Sequence, residues 1–127
     1  MRLFEEVDTW RGASPLRVLV NNAGILGPAG KDGGLQEITA DSLAALLSVN
    51  TIGPAICIRE AERRMSKAVP STGDGLLSDH PRGSIVQISS GSAYIGSPLQ
   101  YACSKGALNS LTIGLVKPLA QQGIRIK

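Results

Sequence analysis

Apolar positions in this chain follow two rhythms, and the change between them marks out its elements. "LRVLV", Leu16 to Val20, is a short apolar run rich in β-branched residues that stops at "NNAG". Such a run reads as a buried parallel strand entering a loop. Residues 24 to 37 are glycine-rich and polar and predict a long loop. Thr39 is then placed to cap a helix, with Asp41 in the first turn complementing the helix dipole. From there to about Lys67 the helical period predicts one long helix, turning Leu43, Leu46, Leu47, Ile52, Ile56 and Ala61 toward a core. Residues 69 to 83 are dense in Pro, Gly, Ser and Asp and predict a surface insertion.

The strand rhythm returns in "SIVQIS", followed by a loop, "SGSAYIG". Ser97 as N-cap, Pro98 at the first helical position and Gln100 completing a capping box predict a second helix, to about Gln122. Pro118 within it should kink it by leaving the Gly114 carbonyl without its donor. Gly123 ends the helix, and "IRIK" opens a third strand. The order strand, helix, strand, helix, strand predicts an α/β domain with a parallel sheet, a single unit over residues 1–127 without internal repeat.

Composition narrows the class. Hydrophobic residues make 43% of the chain and charged residues 18%, but aromatics only 3%, with fifteen glycines; packing must rely on small side chains and tight turns. The net charge of +3 is mild. Its densest basic patch, Arg59, Arg63, Arg64 and Lys67, is interleaved with Glu60 and Glu62, and Glu60 lies four residues before Arg64. That pattern reads as a solvated, ion-paired helix face rather than a nucleic-acid surface. Cys57 and Cys103 form no CxxC pair and read as small buried hydrophobes in a reducing, cytoplasmic setting. The lone His80 is a poor metal site. No apolar run is expected to span a membrane, and "MRLFEEVDTW" excludes a signal-peptide core.

Ligands of open α/β sheets bind beyond the carboxyl ends of the strands. The first strand ends at Asn21, Asn22, Ala23 and Gly24, and the second at Ser89 and Ser90. The next helix begins just after, with Tyr101 in its first turn and Lys105 one turn on, on the same face. Tyr94, by contrast, has Pro98 at that distance. Pro54 has no N–H, so the Asn50 carbonyl four residues back loses its helical donor. That spot either suits an ordered water or is simply a kink.

"LVNNAGILG", Asn50 in "SVNTIGP", "SIVQISS" and "YACSKGAL" appear in the order and approximate spacing of the short-chain dehydrogenase/reductases, which this chain resembles from "LFEEVD" to "GIRIK". The resemblance implies a partial Rossmann-like, doubly wound parallel sheet, the central and C-terminal portion of the family fold. It implies an NAD- or NADP-dependent oxidoreductase interconverting an alcohol and a carbonyl, with Tyr101 as proton donor and acceptor. Lys105 would lower the phenol's pKa and bond the nicotinamide ribose; Ser90 would polarise the substrate oxygen; Asn50 would hold a water linking Lys105 to solvent. Asn22, Ala23 and Gly24 would line the cofactor cleft, and the two long helices would build a homo-oligomer interface.

Two departures bear on that expectation. The stretch from Ser90 to Tyr101 is shorter than the family's, so Ser89 or Ser92 is an alternative for the serine role. The glycine-rich pyrophosphate turn, T-G-x-x-x-G-x-G, has no counterpart, nor has the family's C-terminal substrate segment; Gly24, Gly27 and Gly30 precede "PAGKDGG" rather than a helix. The chain is therefore expected to be a fragment in which "LRVLV" keeps an unpaired, adhesive edge. The alternative is a non-catalytic interaction module built on the same two helices.

Overall fold

A computed structural model of the chain describes residues 2–27, 35–65 and 82–127. The insertion expected at 69–83 lies almost wholly outside these, as do Gly30, Lys67 and His80. The described elements run α1 (Arg2–Arg11), β1 (Val18–Asn21), a short 3-10 turn (Leu35–Glu37), α2 (Ala40–Leu47), a π-helical segment (Ser48–Ile52), α3 (Gly53–Arg64), β2 (Gly83–Gln87), α4 (Ser92–Ile95), α5 (Leu99–Ala120) and β3 (Ile124–Ile126). The three strands form one parallel sheet in the order β1-β2-β3. That is the strand–helix–strand–helix–strand unit of an α/β fold, with α1, α4 and the 3-10 turn added to the expected elements.

The strands alternate between two faces. Leu19, Ile85, Ile124 and Ile126 point to a core shared with Phe4 of α1, Ile58 and Ala61 of α3, and Leu119 of α5. Val18 and Val20 of β1 point the other way and are exposed. Among the described residues, helices cover one face only. Gly83 opens β2 against Met65, whose sulfur lies 2.3 Å from where a Cβ would stand, so the strand start admits no larger residue without displacing that buried side chain. Arg82, also buried, donates to the carbonyls of Glu62 and Met65 and to the Gln122 side chain, joining the ends of α3 and α5 to β2.

The long helix departs from the expected one in register. Its buried residues are Leu46, Asn50, Pro54, Ile58, Glu60 and Ala61, opening with three consecutive steps of four. Steps of four overshoot the 3.6-residue turn by about one residue in twelve, and the π-helical segment absorbs that excess. Asn50 therefore faces inward, and Ile52, expected in the core, is exposed. By length and composition, a stretch within Ala40–Arg64 is apolar enough to cross a membrane, contrary to expectation. Its Asn50 and Thr51 nevertheless bond into the helix layer.

Two end signals also differ. Thr39 caps α2 as expected, accepting from the Ser42 N–H and forming a capping box with Ser42. At α5, however, Pro98 with extended backbone is the cap, after a cis Ser97–Pro98 bond, and no side chain caps the helix. Gln100 instead accepts from Ser42 Oγ at 2.6 Å, linking α5 to α2. The helix continues through Pro118 to Ala120. Cys57 is half-buried, and burial beside Glu60 pushes its thiol up. Cys103 is exposed rather than buried, because its neighbours Ala102, Ser104 and Lys105 take the inward face of α5.

Candidate active site

The carboxyl ends of β1 and β2 meet the π-helical segment and the first turns of α5. The ladder runs one residue past β2, where the Ile88 N–H donates to the Asn21 carbonyl at 3.0 Å. The Asn21 side chain donates to the Pro54 carbonyl, tying the end of β1 to the helix. Asn22, Ala23 and Gly24 follow as an exposed loop.

Asn50 is fully buried (0% exposed), with every side-chain contact defined. Its Oδ1 accepts from the Ile25 N–H at 2.8 Å, and its Nδ2 donates to the Ile25 carbonyl at 2.8 Å and to Ser104 Oγ at 2.9 Å. A buried amide needs such partners, since each unpaired polar group costs about 1–3 kcal/mol. The sequence pointed to the Asn50 carbonyl; the structure shows the side chain fixing the loop after β1 to α5.

Lys105 is 3% exposed, and its ammonium donates to the Ile88 carbonyl at 2.7 Å. Nζ stands 5.8 Å from the centre of the Tyr101 ring. It also lies 3.5 Å from where a Cβ on Gly24 would be, with Asn50 Oδ1 3.4 Å from the same point. A glycine there lets the loop backbone approach the lysine closely. Tyr101 is half-buried and Tyr94 is exposed, so Tyr101 is the tyrosine that joins the cluster.

The three serines divide. Ser90 Oγ accepts from the Ser92 N–H at 3.1 Å, and the Ser90 carbonyl accepts from Ala93, so Ser90 holds the start of α4. Ser92 is the first residue of α4. Ser89 Oγ is buried and has no partner among the described residues, and the same holds for both amide atoms of Gln87. Sequence reasoning missed Ser104, Thr51 and Gln87. Ser104 was detectable only as a small polar residue on the inward side of α5, between the two residues singled out, and asking what pairs with Asn50 would have found it.

The donor set fits the nicotinamide end of a dinucleotide. A buried ammonium carries three donors and has one acceptor among the described residues, which leaves capacity for ribose hydroxyls beside the open Gly24 backbone. Among the described residues, no three His, Cys, Asp or Glu side chains gather as a metal site.

Residues 3–127 match the family model described as short chain dehydrogenase. The uncharacterized oxidoreductase YgfF of Escherichia coli is 42% identical over 115 residues, covering 88% of this chain and 42% of its own length. The inactive 2-(S)-hydroxypropyl-CoM dehydrogenase 2 of Xanthobacter autotrophicus is 33% identical over 118 residues, 91% of this chain and 44% of that protein. The structure of the angucycline C-6 ketoreductase LanV with bound NADP superposes with a TM-score of 0.73 at 26% identity, over 96% of this chain and 42% of that one. The chain thus spans less than half the length of these relatives.

Proposed function

Because the chain belongs to the short chain dehydrogenases, matching their model from residue 3 to residue 127, we propose that it supplies the proton-handling half of a nicotinamide-dependent oxidoreductase acting on a small alcohol or carbonyl. The observation that supports this most is the burial of the Lys105 ammonium between the Tyr101 ring and the Gly24 backbone. Asn22, Ala23, Gly24, Lys105 and Tyr101 are the residues that would hold NAD or NADP, which supplies hydride chemistry when bound. LanV, whose structure contains NADP, is a relative of the kind this reading draws on.

In this reading the Tyr101 hydroxyl gives its proton to the carbonyl oxygen during reduction and takes it back during oxidation. The neighbouring ammonium sets a positive charge beside the ring whose hydroxyl exchanges the proton. Ser90, whose Oγ accepts from Ser92 and keeps its own proton, donates to the substrate oxygen. Asn50 holds the loop and helix around that centre. In the protein containing this chain, Tyr101→Phe should lower NADPH-dependent reduction of an aromatic aldehyde by about 10²–10⁴-fold; unchanged turnover would overturn the reading.

A second reading has its own support. Val49 and Ile52 on the long helix and Ile113 and Val116 on α5 are exposed apolar residues, which suit a contact with another copy or an intact relative, and one relative is named as inactive. Capture of a full-length relative without any thermal shift from NAD(H) or NADP(H) would favour it.

A further inference from the structure

We propose that Ser104 and Thr51 are positioning residues that set the spacing between Tyr101 and Lys105; this rests on reading those two as the proton-handling pair. Ser104 is fully buried on α5, three residues after Tyr101 and one before Lys105. Its hydroxyl donates to the Tyr101 carbonyl at 2.8 Å. That back-bond alone is ordinary for a helical serine. What distinguishes Ser104 is that two consecutive residues of the π-helical segment grip it from another element. Asn50 Nδ2 donates to its Oγ at 2.9 Å, and Thr51 Oγ1 donates to its carbonyl at 2.9 Å.

The clamp depends on the π turn, which carries Asn50 onto the buried stripe of the long helix with Thr51 beside it. An unbroken α-helix would drift off that stripe within three turns. Through Asn50 the same clamp reaches both backbone groups of Ile25, so the loop that flanks Lys105 and the helix that carries it share one anchor. Ser104, lying between Tyr101 and Lys105, thus ties their turn of α5 to the π-helical segment, while Lys105 is separately fixed to β2 through Ile88. Removing the Ser104 hydroxyl frees the first turns of α5 to shift relative to that strand, and so changes how the ammonium bears on the phenol.

The chain's two tyrosines allow a direct test, because Tyr94 on α4 is 83% exposed and serves as an internal reference. Carbon-13 labelling of the tyrosine Cζ reports each phenol's surroundings through its NMR chemical shift at one fixed pH, in the protein containing this chain and with no cofactor needed. Lys105→Met should move the Tyr101 Cζ signal, because the ammonium lies 5.8 Å from the ring centre, which checks the underlying reading. Ser104→Ala and Thr51→Val should each move it in the same direction. Thr51→Ser, which keeps the donor, should stay close to the wild type, and Tyr94 should not move in any variant. A Tyr101 signal that responds to Lys105→Met but to neither clamp variant overturns this proposal and leaves the pair intact. No response to Lys105→Met overturns the pair itself. If Ser104→Ala does not fold, Thr51→Val decides; loss of fold in both, or equal movement of Tyr94, would make the clamp merely structural and sink the proposal.

Discussion

Gln87 is the residue whose chemistry the fold leaves unanswered. It pairs with Asn21 in the sheet, on the helix side of β2, and both its amide atoms are buried without a partner among the described residues. Leaving such an amide unpaired costs about 1–3 kcal/mol, so Gln87→Met, which keeps shape and removes polarity, should raise the unfolding free energy by that order. Chemical denaturation measures it, and a lower midpoint would show that the amide has an unseen partner. Residues whose significance lies in spacing were legible in the sequence: Tyr101 and Lys105 share a face because they are four apart. Residues whose significance lies in a partner were not. Ser104 and Gln87 are polar groups on inward faces, and what each meets, like the partners of the Asn50 side chain that the sequence did single out, depends on how helices and strands pack, which local spacing does not encode.

At the scale of elements, α1 was one of those the sequence hid, with α4 and the 3-10 turn. "RLFEEVDTWR" carries Leu3, Val7 and Trp10 at helical spacing, yet Leu3 and Trp10 are exposed and Phe4 alone is buried in the core. Its docking is electrostatic as well: Arg64 of α3 pairs with Asp8 of α1 at 2.9 Å and with Glu60 at 2.8 Å, and its guanidinium lies over the Phe4 ring. The Glu60–Arg64 pair expected from spacing is present, but Glu60 is buried and Arg64 half-buried against α1 rather than on a solvated face. Arg64, with Arg11 at Asp8 and Arg59 at Glu60, holds both carboxyls below their usual values of 3.8 and 4.5. Carboxylates depressed in the folded state stabilise it fully above those values and progressively less as pH falls through them toward the folded ones. Stability of the fold should therefore decline below about pH 4.5 through Glu60 and that of α1 docking below about 3.8 through Asp8, and Arg64→Met should flatten both declines. Denaturation midpoints between pH 7 and pH 3 test this; an equally steep loss in the variant would contradict it. The π-helical segment was equally illegible, because Pro54 signals a lost hydrogen bond but not how the helix accommodates it.

Across the whole molecule, the sheet is lopsided. Helices cover one face, Val18 and Val20 stand exposed on the other, and β1 pairs with a strand on one side only among the described residues. An open, apolar parallel edge is a template for pairing with another chain. The isolated chain should self-associate with rising concentration in sedimentation velocity, and Val20→Lys should reduce that association; a clean monomer that unfolds cooperatively would refute the expectation. The alternation of strands and helices made this architecture readable from sequence, including the exposed edge. The packing around Asn50 has a further consequence, for motion. Its carboxamide meets the N–H and carbonyl of Ile25 as a neighbouring peptide group would, adding one rung of pairing beyond the end of β1. By chain position Ile25 belongs to a loop, where backbone usually opens readily. Here it can swing out only when the helix layer loosens with it, so the wall of the cleft nearest Lys105, although exposed, is tied to the motion of the helix layer and is no lid.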